Sequence, residues 1–181
     1  MTALAPHLTD YLVDHLPRHR NASTHTVATY AHSFTLLVRF AAQQRRCRPI
    51  DLRVEDLDPD LILAFLDHIE AGRQNSVSTR NARLAAVRSF FRYIEYKVPA
   101  CLDQVLRIHA LPRKRTEMRL VDALTVDEVR ALLAAPAEHG YYGLRDRAML
   151  HMAYACGLRA SELLAVQMTA FPPGSLATVR I

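Results

Sequence analysis

A mainly α fold is predicted for this chain from three observations. Half of its 181 residues are apolar and only five are glycine. Leu, Ala and Arg, all strong helix formers, are abundant throughout. The apolar positions also recur with the three-to-four-residue spacing of helices that bury one face.

The elements follow in order. "HLTDYLVDHL" puts Leu8, Tyr11, Leu12 and Leu16 on one face, and Pro17 is expected to close that helix. "STHTVATYAHSFTLLVRFAAQQ" reads as the strongest helix, capped by Ser23 or Thr24, with Val27, Tyr30, Phe34, Leu37, Val38 and Ala41 as its buried stripe. "CRPIDLRVEDL" is a connector. Asp58 and Pro59 supply an N-cap and a first-turn proline for a helix with Ile62, Phe65, Leu66 and Ile69 inward. After the turn "AGRQNSVS", the helix "TRNARLAAVRSFFRYIEY" faces Leu84, Val87, Phe91 and Ile94 inward, with Arg80, Arg83, Arg88 and Arg92 on its other sides. Four helices with one apolar face each predict a small bundle over residues 1–98.

Residues 99–123 change in texture. Periodicity weakens, prolines stand at 99 and 112, and Arg113, Lys114 and Arg115 form a basic knot, so a linker is expected. A second domain is expected over 124–181. Thr125 and Glu128 form a capping box, and "LRDRAMLHMAYAC" is a helix expected to bury Leu144, Ala148, Met152 and Ala155. Gly157 is its left-handed cap, and "SELLAVQM" is a further helix with Ser161 as cap. "LATVRI" reads as a first strand, and a lone strand cannot satisfy its own backbone, so this domain is expected to be incomplete.

Charge narrows the function classes. The net charge is +5, almost all of the positive side is arginine, and the only lysines are Lys97 and Lys114. Up to Val121 there are 18 basic and 12 acidic residues; from Asp122 onward there are 5 and 6. Localised, arginine-biased positive charge points to a polyanionic partner. No stretch approaches the roughly 20 apolar residues of a membrane span, and no secretory leader is evident. Cys47, Cys101 and Cys156 are scattered outside any metal spacing, which predicts a reduced cytosolic setting. His15 and His19 have helical metal spacing without an evident third ligand and are expected to be ordinary surface histidines.

The segments "STHTVATYAHSFTLLVRF", "SVSTRNARLAAVRSFFRYI", "LTVDEVRALLAA" and "LRDRAMLHMAYACGLRASELLAV" together resemble the tyrosine recombinases of the phage-integrase family. The block "GLRASELL" is the specific part of the likeness. Two positions depart from the family pattern: Cys156 stands where threonine is common, and no aspartate stands near Ala170. The resemblance implies a SAM-like four-helix core-binding bundle, joined by a linker to the truncated start of a mixed α+β catalytic domain. It also implies DNA strand exchange through a phosphotyrosyl intermediate, with no metal or other cofactor, in a cytoplasmic, nucleoid-associated protein. Double-stranded DNA is the implied partner, with self-association or an intact recombinase on DNA as further partners, and no membrane.

Of the family's active-site residues only an arginine matches this chain, as Arg159, with Glu162 in a supporting role. All seven tyrosines precede Arg159 whereas the family nucleophile follows it, so the fragment is expected to be inactive alone. The DNA-contact candidates are Arg73, Asn75, Ser76, Ser78 and Arg80, followed by Asn81, Arg83 and Arg88. Such short polar groups and arginines meet phosphates without reading sequence. Thr26, with His25 and Thr29 beside it, is a weaker candidate, and Arg113, Lys114 and Arg115 are placed to lie along a duplex. Two alternatives stand beside the recombinase: a non-catalytic DNA-binding module or regulator, and a helical interaction protein without a nucleic-acid role.

Overall fold

The computed structural model describes residues 2–73, 76–116, 123–136 and 140–167, with Arg73 as backbone alone. The chain divides into two compact units, Met1–Met118 and Arg119–Ile181. Regular structure among the described residues is helical, apart from one antiparallel bridge between Ala3 and Arg53.

In the first unit, α1 (Leu4–Asp10) runs directly into a π-helical segment, Tyr11–His19. Then come α2 (Thr24–Arg45), α3 (Pro59–Arg73), α4 (Val77–Lys97) and α5 (Leu102–His109). Pro17 does not close the first helix as expected but lies inside the π segment. The wider π turn bonds each N–H five residues back and carries the preceding carbonyls away from the pyrrolidine ring. The amide of Arg20 bonds the carbonyl of His15 in that register, at 3.1 Å.

Local chemistry sets the other boundaries. Ser23 caps α2 by accepting the Thr26 N–H at 3.2 Å, and Asp58 does the same for the Leu61 N–H at 2.8 Å. The expected inward residues of α3 and α4 are all buried. Tyr11, Phe34 and Phe90 meet at the centre, with ring centroids of Tyr11 and Phe34 5.4 and 5.3 Å from that of Phe90 in edge-on geometry. Burial pushes the Tyr11 phenol well above its ordinary value.

The linker expected from residue 99 does not begin there. Pro99–Cys101 makes a 3-10 turn, α5 follows, and Cys101, Val105, Ile108 and Leu111 are buried in the same core as α4. The bundle therefore has a fifth helix. Gln104 Nε2 donates to the carbonyls of Val54 and Leu57 at 2.8 and 3.0 Å, tying α5 to the connector before α3.

The second unit contains α6 (Val126–Ala134), α7 (Tyr141–Cys156) and α8 (Ala160–Ala165). The Thr125–Glu128 capping box forms as read, with the Thr125 N–H on Glu128 Oε2 at 2.7 Å and the return bond at 3.3 Å. Gly157, at φ 63°, ends α7 in the left-handed region. The cap of α8 is Arg159, so Ser161 sits inside the helix rather than at its cap. The expected burial of α7 is not found: Leu144, Ala148 and Ala155 are exposed and Met152 is half-buried. Periodicity specifies an apolar face but not what covers it, and Gly143 alone is buried among the described residues of this unit. The strand expected over 176–181 lies outside the described residues.

Candidate nucleic-acid interface

The start of α4 carries most of the sequence candidates, and they divide sharply. Ser76 caps the helix, its Oγ accepting the Thr79 N–H at 3.2 Å, and Ser78 is exposed on the first turn. Arg80 and Asn81 are buried and already engaged. Arg80 Nε faces Glu70 Oε2 of α3 at 3.4 Å, and the same oxygen receives Lys114 Nζ at 2.6 Å. Asn81 holds the backbone of Lys114 from both sides, donating to its carbonyl at 2.7 Å and accepting its N–H at 3.1 Å. Asn81 thus fastens the chain that follows α5 onto α4, and Arg80 turns to Glu70 of α3, in place of the outward phosphate contact expected of them. Asn75 and the side chain of Arg73 lie outside what the structure describes.

Arg83 and Arg88 are half-buried. Arg83 Nη1 donates to Ser33 Oγ of α2 at 3.2 Å, and Arg88 Nη2 donates to the carbonyl of Leu111. Burial, followed by the nearby charge of Arg113, lowers the Arg88 pKa from its ordinary value. Thr26 is half-buried at the start of α2, its hydroxyl 3.0 Å from Ser23 Oγ, so it completes the cap; His25 and Thr29 beside it are exposed. Arg113, Lys114 and Arg115 are all exposed.

Arg88 opens onto a groove of about 470 Å³, lined by Arg20, Tyr30, Ala85, Arg88, Ser89, Arg92, His109 and Arg113. Its walls come from the end of the π segment, α2, α4, α5 and the chain beyond α5. Burial and the charges of Arg92 and Arg88 lower the His109 pKa, against an opposing pull from Glu95. Arg20, Arg92 and His109 were not singled out from sequence as contact residues. Arg88 and Arg92 do stand four apart on one helix face, but their meeting with Arg20 and His109 is a tertiary fact.

In the second unit Arg159 precedes α8 in extended conformation, φ −70° and ψ 155°. Its N–H donates to Glu162 Oε2 and its Nη1 to Glu162 Oε1, both at 2.8 Å. The guanidinium side chain is 82% exposed. The backbone bond, then the side-chain bond, hold the Glu162 carboxyl below its ordinary pKa. One carboxylate thus fixes both the backbone and one edge of the guanidinium, leaving its other donors facing solvent.

Comparison with known proteins then decides the family. Residues 9–97 match the family described as phage integrase, N-terminal SAM-like domain. Two Sinorhizobium fredii proteins that carry integrase/recombinase names are similar across nearly the whole chain: y4rC is 43% identical over 89% of it and y4rD 42% over 90%. The chain belongs to the tyrosine recombinase family. A further family member, the tyrosine recombinase XerC of Pelobacter propionicus, is 35% identical over 82% of this chain. The chain spans about half the length of these relatives: 48% of y4rC, 58% of y4rD and 47% of that XerC. No solved structure matches it. The family match stops at Lys97, before α5, although α5 shares the core of the recombinase unit described above. No helix among the described residues is long and apolar enough to cross a membrane.

Proposed function

We propose that this chain supplies the DNA-gripping domain of a tyrosine recombinase and the opening of its catalytic domain. The helical bundle of the first unit holds duplex DNA through backbone phosphates, and residues from 124 onward begin the catalytic part. The observation that carries this reading is the 43% identity to y4rC across 89% of the chain.

Arg159 is the group assigned to the chemistry. Phosphodiester transfer gathers negative charge on non-bridging oxygens, and a guanidinium offers them a planar fork of donors that stays protonated at any working pH. Preorganised donors of this kind are worth on the order of 3–4 kcal/mol in enzymes where one has been removed. Glu162 is a positioning residue: its carboxylate grips one edge of Arg159 and leaves the opposite edge for phosphate. In the bundle, Ser76, Ser78, Arg113 and Arg115 have the exposure that a phosphate contact requires. Self-association on DNA and action beside an intact recombinase belong to the same reading.

Two measurements on the 181-residue protein test it. A gel shift with duplex DNA is expected to show binding that weakens with salt, by about 0.9 log units in affinity per log unit of salt for each phosphate neutralised. A nicked suicide duplex is expected to trap no covalent adduct, because none of the seven tyrosines follows Arg159. Salt-independent or absent DNA binding would remove the DNA-gripping role, and a trapped adduct would place the nucleophile among those seven.

A further inference from the structure

We propose that the groove between Arg20, Arg88, Arg92, His109 and Arg113 is an oxyanion site for a phosphate-class group. Four guanidinium groups and an imidazole line it, Tyr30 and Ser89 add hydroxyls, and no carboxylate does. Elsewhere in the bundle, arginines are commonly matched to acids: Arg18 to Asp14, Arg45 to Asp58, Arg48 to Asp51 and Arg80 to Glu70. Among the described residues Arg20, Arg92 and Arg113 have no such partner. Gathering positive charge in a groove that no carboxylate lines opposes folding, so an external anion that enters it is bound with the relief of that repulsion.

Two buried nitrogens reinforce the assignment. Arg88 Nε and His109 Nε2 are buried and have no hydrogen-bond partner. A buried polar group left unpaired is costly, and in native proteins it calls for an explanation such as an ion. Arg88 is also locked in place through its bond to the Leu111 carbonyl. The four arginines come from three separate parts of the first unit, so it is the folding of the bundle that brings them together.

His109 couples the site to protons. The groups around it are Arg88, Arg92 and Glu95 on α4, Arg20 and Tyr30 from the preceding elements, and Arg113 beyond α5. In the empty groove burial and the arginines favour the neutral ring. A bound dianion favours the imidazolium, so binding takes up a proton and tightens as pH falls.

Sulfate is the probe, since its own charge is constant across the relevant range. Titrated into the 181-residue protein, with chloride at equal ionic strength as the control, it is expected to move the His109 ring-proton resonance saturably where chloride does not. Arg92→Ala and Arg113→Ala, both at exposed positions, are each expected to weaken sulfate about tenfold, while Arg107→Ala, outside the groove, leaves it unchanged. Binding tightens from about pH 8 to about pH 6, and His109→Asn flattens that dependence. Sulfate that behaves as chloride does, or binds the two groove variants as well as the parent, overturns the proposal. Competition with duplex DNA identifies the source of the phosphate. Displacement of sulfate by DNA assigns the site to the duplex backbone; simultaneous binding assigns it to a small phosphorylated ligand. Sulfate binding without any gel shift would sink the DNA reading and leave the oxyanion site standing.

Discussion

Asn81 and Arg80 show why polar residues on a helix are hard to assign from sequence. Both look like surface groups beside other polar neighbours, yet both are buried: Arg80 faces Glu70 of α3, and Asn81 holds the chain that returns after α5. The residues that contact one another are 33 positions apart in sequence for Asn81 and Lys114, a separation invisible to helical periodicity. Asn81→Ala is expected to cost about 1–2 kcal/mol, as two backbone groups of Lys114 lose their partner where water reaches them only in part; urea unfolding measures it. The pairing of Arg159 with Glu162 was legible because the two are three apart and locally bonded. Histidine supplies a pH effect at the same scale. Burial lowers the pKa of both His15 and His109 in the folded chain. The unfolded chain therefore binds more protons below the ordinary histidine value, and stability is present above it and declines beneath it. The melting temperature is expected to fall between about pH 7.5 and about pH 5.5, and saturating sulfate, by favouring protonated His109, is expected to reduce the fall.

At the scale of elements, α2, α3 and α4 are readable because each is long and apolar on one face, and Ser23 and Asp58 are readable as caps; Ser76 caps α4 from within the stretch expected as a turn. Ser76→Ala is accordingly expected to cost about 1 kcal/mol of stability, the ordinary worth of a side-chain N-cap. The fifth helix was missed for an equally physical reason. It has eight residues, follows a proline and precedes another, so it offers too few turns for its periodicity to stand out. Its stability comes from tertiary packing, as it does for most short helices. Ile108 is fully buried against α4, and Ile108→Ala is expected to destabilise the bundle by about 2–4 kcal/mol, read from the midpoint of denaturant unfolding. An effect below about 0.5 kcal/mol, the size of an ordinary surface change, would return residues 99–111 to the linker that sequence alone suggested. Tyr11 and Leu16 were readable as buried positions of one helix, but the π form of that segment was not, since the ordinary helical spacing through Leu12 gives no sign of the wider turn that admits Pro17.

For the whole molecule, charge distribution separates two ways of meeting DNA. The positive excess of the chain lies before Asp122, and the first unit places part of it in the groove and part on Arg113, Lys114 and Arg115. Lys114 is already paired with Glu70, so its loss gives up little available charge. Arg113 and Arg115 are exposed, and Arg113 also lines the groove. If the bundle holds duplex DNA through phosphates, Arg113→Ala and Arg115→Ala should each flatten the salt dependence of binding by about one phosphate's worth, with a slope change near 0.9. Lys114→Ala should leave that slope nearly unchanged while loosening the fold slightly, because Glu70 then serves Arg80 alone. Binding isotherms at several salt concentrations separate these outcomes. Equal slopes for all three variants and the parent would mean that this basic stretch does not touch the duplex. A slope lost only with Lys114 would mean that its pairing with Glu70 opens when DNA binds.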